Sequence, residues 1–548
     1  MSFFWLLSIV VYIAFEHQFG GFFTFLTSYF LLFGTVLAVG HFLIAYFRSI
    51  DRELKKLDAK PIDSGDRYHQ LFRNIIDELE IAAGGKDFDG YVISSEYRTA
   101  LSLEDRNQCA IILTEGTIGC LERSELQGVV AHEAAHVAYG DTRIKTFMEN
   151  IMSTIESITG VAEPDVNVVD VDGGQTRYGS TYGLGSGEVS TDGIMVVALA
   201  TVYTIIGRLL RTTVSRTQET RADARAVEYN RNPIALARTL YKLGFYYKYN
   251  PSRVHHYQSS PRLKKQTYEA LQVVPVDPGK LEKDGSGNGD SSGWFENHPP
   301  LDLRLNRLLD LAAESMETLE NQVDFDSTEP FSHRRVEFES GRPAVEEEFH
   351  VKVDDKTEGP VRFSRLMEPG IMDPQTQIGL ADGEEFRPME SIPLFQDLLQ
   401  MRKEEGGGFE QSCPNCNGPL TDRTWLGVQL DECFICGGVG LKQDDLFKIT
   451  CRFETALTNE KKEDLNEKYI EGINPAQETG RTAELDGNCP DCGNEFLLKN
   501  FRGDTGVLID TCEVCAYTWF DYGELPTACQ LTQLSYDQKS MEYLDKLS

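Results

Sequence analysis

Four C-x-x-C pairs in the last quarter of the chain constrain its fold more than any other feature. They read CPNC, CFIC, CPDC and CEVC, and 16 residues separate the first two pairs while 19 separate the last two. Two thiolate pairs at such a separation are typical of one structural zinc site, so we expect two small zinc ribbons. The expected ligands are Cys413, Cys416, Cys433 and Cys436 in ribbon 1 (409–450) and Cys489, Cys492, Cys512 and Cys515 in ribbon 2 (486–530).

The two ribbons are copies of one unit. Gly427 and Gly506 each stand six residues before a third cysteine, and Asp431 matches Asp510 in the same register. Both copies resemble transcription factor IIB-type zinc ribbons, although Ala516 stands in the second copy where the first has a glycine. The tail therefore repeats one zinc-centred fold.

The charge of the chain argues against nucleic acid as a partner. The sequence carries 53 basic and 86 acidic residues, for a net charge of −33. Residues 411–450 hold three basic and five acidic side chains, and residues 486–527 hold two and eight. Such surfaces repel phosphate backbones. We expect that no nucleic acid binds. The ribbons are expected instead to bind protein partners or to deliver substrates.

The first 47 residues contain two apolar runs divided by a short polar break. The second run, 22–47, has 26 residues without a full charge, which is enough to cross a bilayer with some tilt. A cleaved signal peptide is the alternative, but no basic segment precedes the first run and a second run follows at once. The sequence predicts a transmembrane hairpin over 1–47.

Five basic residues in the next thirteen positions set the expected orientation. They are Arg48, Arg52, Lys55, Lys56 and Lys60. Lysine and arginine are enriched on the cytoplasmic side of membrane proteins. The large remaining part of the chain, with the ribbons, is therefore expected to face the cytoplasm in a multi-pass protein of the cell membrane. A further apolar run, Gly193–Leu210, is as well explained by a buried or interfacial helix as by a crossing.

The stretch AHEAAHVAYGD, 131–141, places two histidines in an apolar helical run. The pattern predicts a helix that starts at Ser124, with Gln127 completing a capping box. His132 and His136 lie four residues apart and hence on one face, where both imidazoles can reach one zinc ion. Glu133 lies one position round, close enough to hold a water rather than the metal. A pair of satisfied buried histidines is the alternative.

A second helical stretch, SRTQETRADARAVEYN from Ser215, offers a third ligand. Glu219 and Asp223 are four residues apart on one face, beside the small Ala222. By itself this spacing is more typical of a solvated helix face than of a metal site.

The order of these features resembles the HtpX-type and CAAX-prenyl-protease-type membrane zinc metallopeptidases, which are gluzincins. In that family an apolar hairpin precedes H-E-x-x-H with Asp five residues on, then S-R-x-x-E-x-x-A-D, then an H-P-P segment. This chain has HEAAH with Asp141, SRTQETRAD, and NHPPLDLRLNRLLDL from Asn297. Four features in order over about 300 residues make a specific match.

The resemblance implies roles for seven residues. It implies that His132, His136 and Glu219 bind a catalytic zinc ion, that Glu133 is the general base, and that Asp141 and Asp223 orient the ligands. His298 is then expected near the scissile carbonyl, or else to serve only as a structural residue at a helix start. With the ribbons, the chain is expected to hold one catalytic and two structural zinc ions.

The expected fold class is α+β: a mainly α-helical zinc metallopeptidase domain with an N-terminal transmembrane hairpin and two small C-terminal ribbons. The expected segments are a hairpin at 1–47, the peptidase domain at 48–320 with flexible insertions near 161–192 and 276–296, an acidic linker or small β element at 321–408, ribbon 1, a helical linker at 451–485, and ribbon 2. The expected function is a zinc endopeptidase acting on membrane or misfolded proteins. An inactive membrane-tethered adaptor that recruits proteins through its ribbons is the alternative.

Overall fold

The computed structural model describes residues 49–143, 145–146, 218–249, 299–323 and, with short gaps, 330–469 and 481–534. Apart from Val36 and Gly40, the expected hairpin lies outside these residues, as do Gly193–Leu210 and the two expected insertions. Within the described part, the structure contains no helix that combines the length and the apolar character needed to span a bilayer. The chain divides into two compact units, with one formed by Met1–Asp63, Gln70–Phe325 and Tyr543–Ser548, and the other by Ser64–His69 and Asp326–Glu542.

Unit 1 contains a four-stranded sheet with the order β1-β2-β4-β3. Its strands are β1 Ala59–Pro61, β2 Asp89–Ile93, β3 Ala100–Glu104 and β4 Cys109–Thr114. Strand β2 runs parallel to β4, and the other pairs are antiparallel. Strand β4 is buried along its whole length, as its continuous apolar sequence CAIILT requires. Strand β3 lies at the edge of the sheet.

Helices make up the rest of unit 1. They are α1 Ser49–Leu57, α2 Arg67–Ala82 (whose first turn belongs to the other unit), α3 Glu115–Cys120, α4 Arg123–Tyr139, α5 over 218–230, α6 Pro233–Tyr249, α7 Leu301–Ala312 and α8 Met316–Gln322. Helix α4 packs against α6 at Gly128, where a Cβ atom would lie 3.2 Å from the Cα of Leu236. The glycine therefore lets the two backbones approach closely.

Helix α4 begins differently from the sequence prediction. Glu122, not Ser124, is the N-cap, and it forms a reciprocal capping box with Glu125. Glu125 is buried and also accepts a 2.8 Å hydrogen bond from the Lys242 ammonium of α6. The predicted box was wrong because Ser124 already lies in the first turn. The helix ends at Gly140, whose left-handed φ of 72° closes the last turn.

Unit 2 contains a four-stranded sheet in the segment 321–408, which the sequence predicts to be either an acidic linker or a small β element. The sheet has the order β6-β5-β7-β8. Its strands are β5 Glu348–Val353, β6 Lys356–Arg362, β7 Gln377–Leu380 and β8 Arg387–Pro388, and its helices are α9 Phe363–Leu366 and α10 Pro393–Glu404. Phe338, Phe349, Phe363 and Phe395 form an aromatic cluster in its core.

The two ribbons share one seven-stranded sheet with the order β12-β13-β14-β15-β11-β10-β9. Ribbon 1 supplies β9 Leu420–Trp425, β10 Val428–Cys433 and β11 Val439–Lys442, whereas ribbon 2 and the segment before it supply β12 Arg481–Thr482, β13 Leu497–Asn500, β14 Leu508–Thr511 and β15 Tyr517–Phe520. Helices α11 Gln443–Arg452, α12 Asn459–Tyr469 and α13 over 524–534 complete unit 2.

The ribbons join through antiparallel pairing of β11 with β15, which are equivalent strands of the two copies. Gly440 pairs with Trp519, its own equivalent in the repeat. Val439 pairs with Phe520 and Leu441 with Thr518, so the pairing is symmetric about that central pair. The copies are therefore related by an approximate two-fold axis through this junction.

Small residues in β11 and just before it accommodate large ones in β15. A Cβ atom on Gly440 would lie 1.8 Å from the hydroxyl of Tyr517, and one on Gly438 would lie 2.5 Å from the Trp519 ring. The Tyr517 hydroxyl donates a 2.7 Å hydrogen bond to Asp431 of ribbon 1. Side-chain size thus couples the two ribbons into one folded body.

We expect Gly440→Ala to destabilise unit 2 by about 1–3 kcal/mol, because the added methyl group overlaps Tyr517. Gln429→Ala is the matched control, since Gln429 is an exposed residue of the neighbouring strand β10. The measurement is the urea midpoint of tryptophan fluorescence for each full-length variant. Equal midpoints for Gly440→Ala and wild type would contradict the tight junction.

Candidate zinc and catalytic site

Three polar side chains from helices α4 and α5 meet in the interior of unit 1. The Nε2 atoms of His132 and His136 lie 3.2 Å apart. The carboxylate of Glu219 lies 3.3 Å from each of them, with one oxygen facing each ring. All three residues are buried. The i, i+4 spacing on α4 aligns the two rings, and α5 brings Glu219 against them from elsewhere in the chain.

The three ligand atoms fit a zinc ion. Zinc–nitrogen and zinc–oxygen bonds of about 2.0–2.1 Å at tetrahedral angles place two ligand atoms about 3.3–3.4 Å apart. The two Nε2 atoms lie 3.2 Å apart, and each lies 3.3 Å from a different oxygen of Glu219, so the three residues are close enough to share one ion. Three protein ligands leave a fourth position open, as catalytic zinc sites do.

The electrostatics of the site favour a cation between these residues. Burial lowers the pKa of His132, but hydrogen bonds with Asp223 and Glu219 more than offset this and raise the pKa to about 9. The two carboxylates thus favour positive charge at His132, and a proton on that ring would compete with a metal ion for its nitrogen.

Behind His132, a buried ion pair holds the ring. Asp223 Oδ1 lies 3.0 Å from His132 Nδ1. Arg304 from α7 donates two hydrogen bonds of 2.7 and 2.8 Å to the same carboxylate. Burial raises the pKa of Asp223, but the guanidinium of Arg304 and the imidazole of His132 lower it by more. The resulting pKa is about 2. The ionised Asp223 therefore fixes which nitrogen of His132 faces Glu219.

Asp141 takes a corresponding position near His136. Its carboxylate lies 3.8 Å from His136 Nδ1, which is longer than a hydrogen bond. Gln218 and Arg221 donate hydrogen bonds of 2.9 Å to it. Burial raises its pKa, but the neighbouring imidazole of His136 and the guanidinium of Arg221 lower it overall. Asp141 thus joins the end of α4 to α5.

The carboxylate of Glu133 is buried beside this cluster. Its two oxygens accept no hydrogen bond from any residue that the structure describes. A buried carboxylate without partners is costly unless water or a ligand satisfies it. The position of Glu133 next to His132 on α4 therefore marks a place for a polar group from outside the chain.

Two further cations approach Glu219, and sequence reasoning missed both. The ammonium of Lys145 lies 3.3 Å from one oxygen, and the guanidinium of Arg304 lies 3.6 Å from the other. The arginine in HPPLDLRL was visible in the sequence, but no local spacing ties it to Asp223. His298, which the sequence placed near the scissile carbonyl, lies outside the described residues.

The eight ribbon cysteines form two four-sulfur clusters. Sulfur–sulfur distances of 3.5 and 3.6 Å in ribbon 1 and 3.4 and 3.6 Å in ribbon 2 pair the first knuckle with the second. A tetrahedral zinc–thiolate site with bonds of about 2.3 Å places its sulfurs about 3.8 Å apart. Both clusters therefore suit a structural zinc ion.

Residues 66–312 match Peptidase family M48. This part of the chain is similar to members of that family. The M48 region contains all three residues of the histidine cluster, together with Glu133, Asp141, Asp223 and Arg304. The ribbons and the sheet before them lie beyond its end.

Relatives of the M48 region are named as proteases. A "Protease HtpX homolog" of Listeria monocytogenes serotype 4a is 24% identical over 282 residues, covering 51% of this chain and 85% of that protein. One from Desulfatibacillum aliphaticivorans is 27% identical, covering 51% and 80%. The crystal structure of Ste24p from S. mikatae covers 55% of this chain and 62% of that one at 17% identity, but a TM-score of 0.25 carries no argument about fold. Nothing in these similarities favours an adaptor.

We expect Arg304→Met to weaken zinc binding at the histidine cluster about 10–100-fold, because Asp223 loses the partner that orients it against His132. Leaving that carboxylate unpaired should also lower stability by about 3–5 kcal/mol. Retained zinc after dialysis against graded chelator, and the melting temperature, measure the two effects.

Arg307→Met is the control for this variant. Arg307 lies on the same helix but is exposed and bonds only Thr220 among the contacts described. Its replacement should change stability by no more than about 0.5 kcal/mol and leave zinc in place. Equal zinc retention in the two variants would contradict the positioning role of Arg304.

Proposed function

We propose that the protein is a membrane-anchored zinc endopeptidase that hydrolyses peptide bonds of membrane or misfolded proteins from the cytoplasmic side. The observation that carries the proposal is the buried Glu133 carboxylate, which has no hydrogen-bond donor among the described residues and adjoins three atoms spaced to bind zinc. A purely structural histidine pair gives no reason for such a carboxylate.

In this proposal His132, His136 and Glu219 hold the catalytic zinc ion. Asp223 orients the ring of His132 through its Nδ1 atom, and Asp141, 3.8 Å from Nδ1 of His136, is proposed to orient that ring by charge. The eight ribbon cysteines hold two structural zinc ions. The M48 family assignment of residues 66–312 supports the first site, and the two four-sulfur clusters support the others.

The zinc ion, when bound, supplies a Lewis acid that polarises the scissile carbonyl and makes water acidic near neutral pH. Glu133 accepts a proton from the attacking water and then passes it to the leaving amine. Burial keeps bulk water away from this carboxylate, so its proton moves only within the site. His298 is proposed to donate a hydrogen bond to the oxyanion.

The membrane location rests on the sequence of the first 60 residues. The uncharged run over 22–47 is long enough to cross a bilayer, and five basic residues follow it. We infer a multi-pass protein of the cell membrane whose catalytic unit and ribbons face the cytoplasm.

We expect Glu133→Gln and Glu219→Ala to fail in different ways. Glu133→Gln keeps the size of the side chain but removes the base, so zinc stays bound while hydrolysis of an unfolded protein falls about 10²–10⁴-fold. Glu219→Ala should lose zinc and activity together, because two histidines alone make an incomplete site. Metal analysis and hydrolysis rates on the same preparations test this. Wild-type rates for Glu133→Gln would show that the proposed base is not the base.

Zinc stoichiometry separates the catalytic site from the ribbons. The full chain should contain about three zinc ions per molecule, counted from three separate four-coordinate sites. His136→Ala should reduce the count by one and abolish hydrolysis. A Cys433→Ser, Cys436→Ser double variant should also lose one but keep the zinc that depends on His136. A wild-type count of two, unchanged by His136→Ala, would exclude the histidine cluster as a metal site.

A further inference from the structure

The approximate two-fold symmetry of the ribbons allows each surface of one copy to be compared with its equivalent in the other. Two contacts confirm the correspondence outside the shared strands. Asn415 of ribbon 1 donates a 3.1 Å hydrogen bond to Asp521, and the equivalent pair, Asp491 and Lys442, forms an ion pair of 3.8 Å. Matching positions should therefore have matching surroundings unless something covers only one copy.

The second zinc knuckle differs sharply in exposure between the copies. In ribbon 1, Ile435 of CFIC is fully buried at 0% exposure, whereas its equivalent Val514 of CEVC is 70% exposed. The first knuckles show the same difference, since Cys416 is buried and its equivalent Cys492 is exposed. One face of the repeated unit is covered in ribbon 1 and open in ribbon 2.

The covering of ribbon 1 shows what this face binds. The chain at 335–338 runs across it, and the amide of Val336 donates a 3.1 Å hydrogen bond to the carbonyl of Ile435. The Val336 side chain packs against the apolar cluster that contains Ile435 and the four cysteines of ribbon 1. The occupant is thus an extended segment with an aliphatic residue. Two arginines precede that residue in the sequence, and Arg335 pairs with Glu346 and lies over the ring of Tyr522 in ribbon 2.

The charge of ribbon 2 suits an occupant of the same kind. Residues 486–527 carry eight acidic and two basic side chains. Asp491 and Glu495 flank the exposed Cys492, and Glu513 adjoins Val514. Four thiolates around zinc would add negative charge. Glu513 already pairs with Lys499 and Asp491 with Lys442, so it is the net acidic charge of the copy that would attract a basic residue beside the aliphatic one.

We propose that the Val514 face of ribbon 2 binds an extended segment of a polypeptide substrate, in which an aliphatic residue follows basic residues. The carbonyl of Val514 accepts a backbone hydrogen bond from the bound segment, and the side chain of Val514 packs against the aliphatic residue. The ribbons then deliver unfolded chains to the peptidase. This role in delivery rests on the proposed function, but binding itself does not require hydrolysis.

The test uses a fluorescein-labelled peptide, SHRRVEF, which copies residues 332–338. The protein is the full-length, zinc-loaded chain with Glu133→Gln, so that the peptide stays intact. Fluorescence anisotropy should show saturable binding that Val514→Asp weakens about tenfold or more, because a carboxylate would be desolvated against the aliphatic residue. The peptide SHEEVEF should bind equally poorly to the unchanged chain.

Leu508→Asp is the matched control. Leu508 is another exposed aliphatic residue of ribbon 2, but its equivalent in ribbon 1 is the exposed Gln429, so no segment is expected there. This variant should bind SHRRVEF like the parent chain. Zinc content and melting temperature establish that both variants fold.

Three results would overturn the proposal. They are no binding of SHRRVEF, equal binding by the Val514→Asp and parent chains, and conversion of a dimer to a monomer by Val514→Asp, which would assign the face to a second copy of the chain. None of these results shows whether Glu133 is needed for hydrolysis, so the proposed peptidase activity is tested independently of this binding site.

Discussion

Four carboxylates, those of Glu133, Asp141, Glu219 and Asp223, are buried around the histidine cluster of unit 1, and their charge must be balanced there. Burial of an unpaired ionised group costs several kcal/mol, so each needs a cation or a hydrogen-bond donor. Arg304 from α7 provides one for Asp223, and Arg221 provides one for Asp141. Helices α4, α5 and α7 are thereby tied together by charge as well as by apolar packing. The histidine cluster lies where these contacts converge.

The same balance explains why this site suits both zinc and catalysis. Asp223 and Arg304 hold His132 in one orientation, with its Nε2 atom towards Glu219, as a metal-ligating histidine requires. Glu133 differs from the other three carboxylates because no described side chain donates to it. Side chains of the protein donate to three of these carboxylates, and Glu133 remains able to accept a proton or hydrogen bond from a bound molecule. Amide hydrolysis needs such a group.

Unit 2 is held together by its two cysteine clusters and by the sheet that the ribbons share. Two sulfur clusters anchor the knuckles, and the pairing of β11 with β15 fuses the copies into one sheet. Duplication followed by covering of only one copy leaves the Val514 face open. The match to the peptidase family spans residues 66–312, so the two sheets of this unit lie beyond the matched region.

Features set by local spacing were the ones that sequence could predict. HEAAH needs only a helix to align His132 with His136, and C-x-x-C pairs need only a tight turn. The role of Glu219 as a third ligand was predicted only from the family resemblance. Its four-residue spacing from Asp223 is by itself typical of a solvated helix face.

Contacts between residues that are distant in the sequence could not be predicted from local spacing. Arg304 reaches Asp223 across 81 residues, and no nearby pattern marks the pair. The fused sheet was also missed, because it depends on glycines at 438 and 440 facing Tyr517 and Trp519. That alternation of small and large residues was a signal in the sequence, but it becomes readable only once the strands are paired.

The central claim is that a zinc ion lies between His132, His136 and Glu219. An anomalous difference map recorded at the zinc absorption edge from crystals of the full chain tests it most directly. The account predicts a peak about 2.0–2.1 Å from the Nε2 atoms of both histidines, beside the peaks of the two ribbons. Strong peaks in both ribbons with none between the histidines would contradict it.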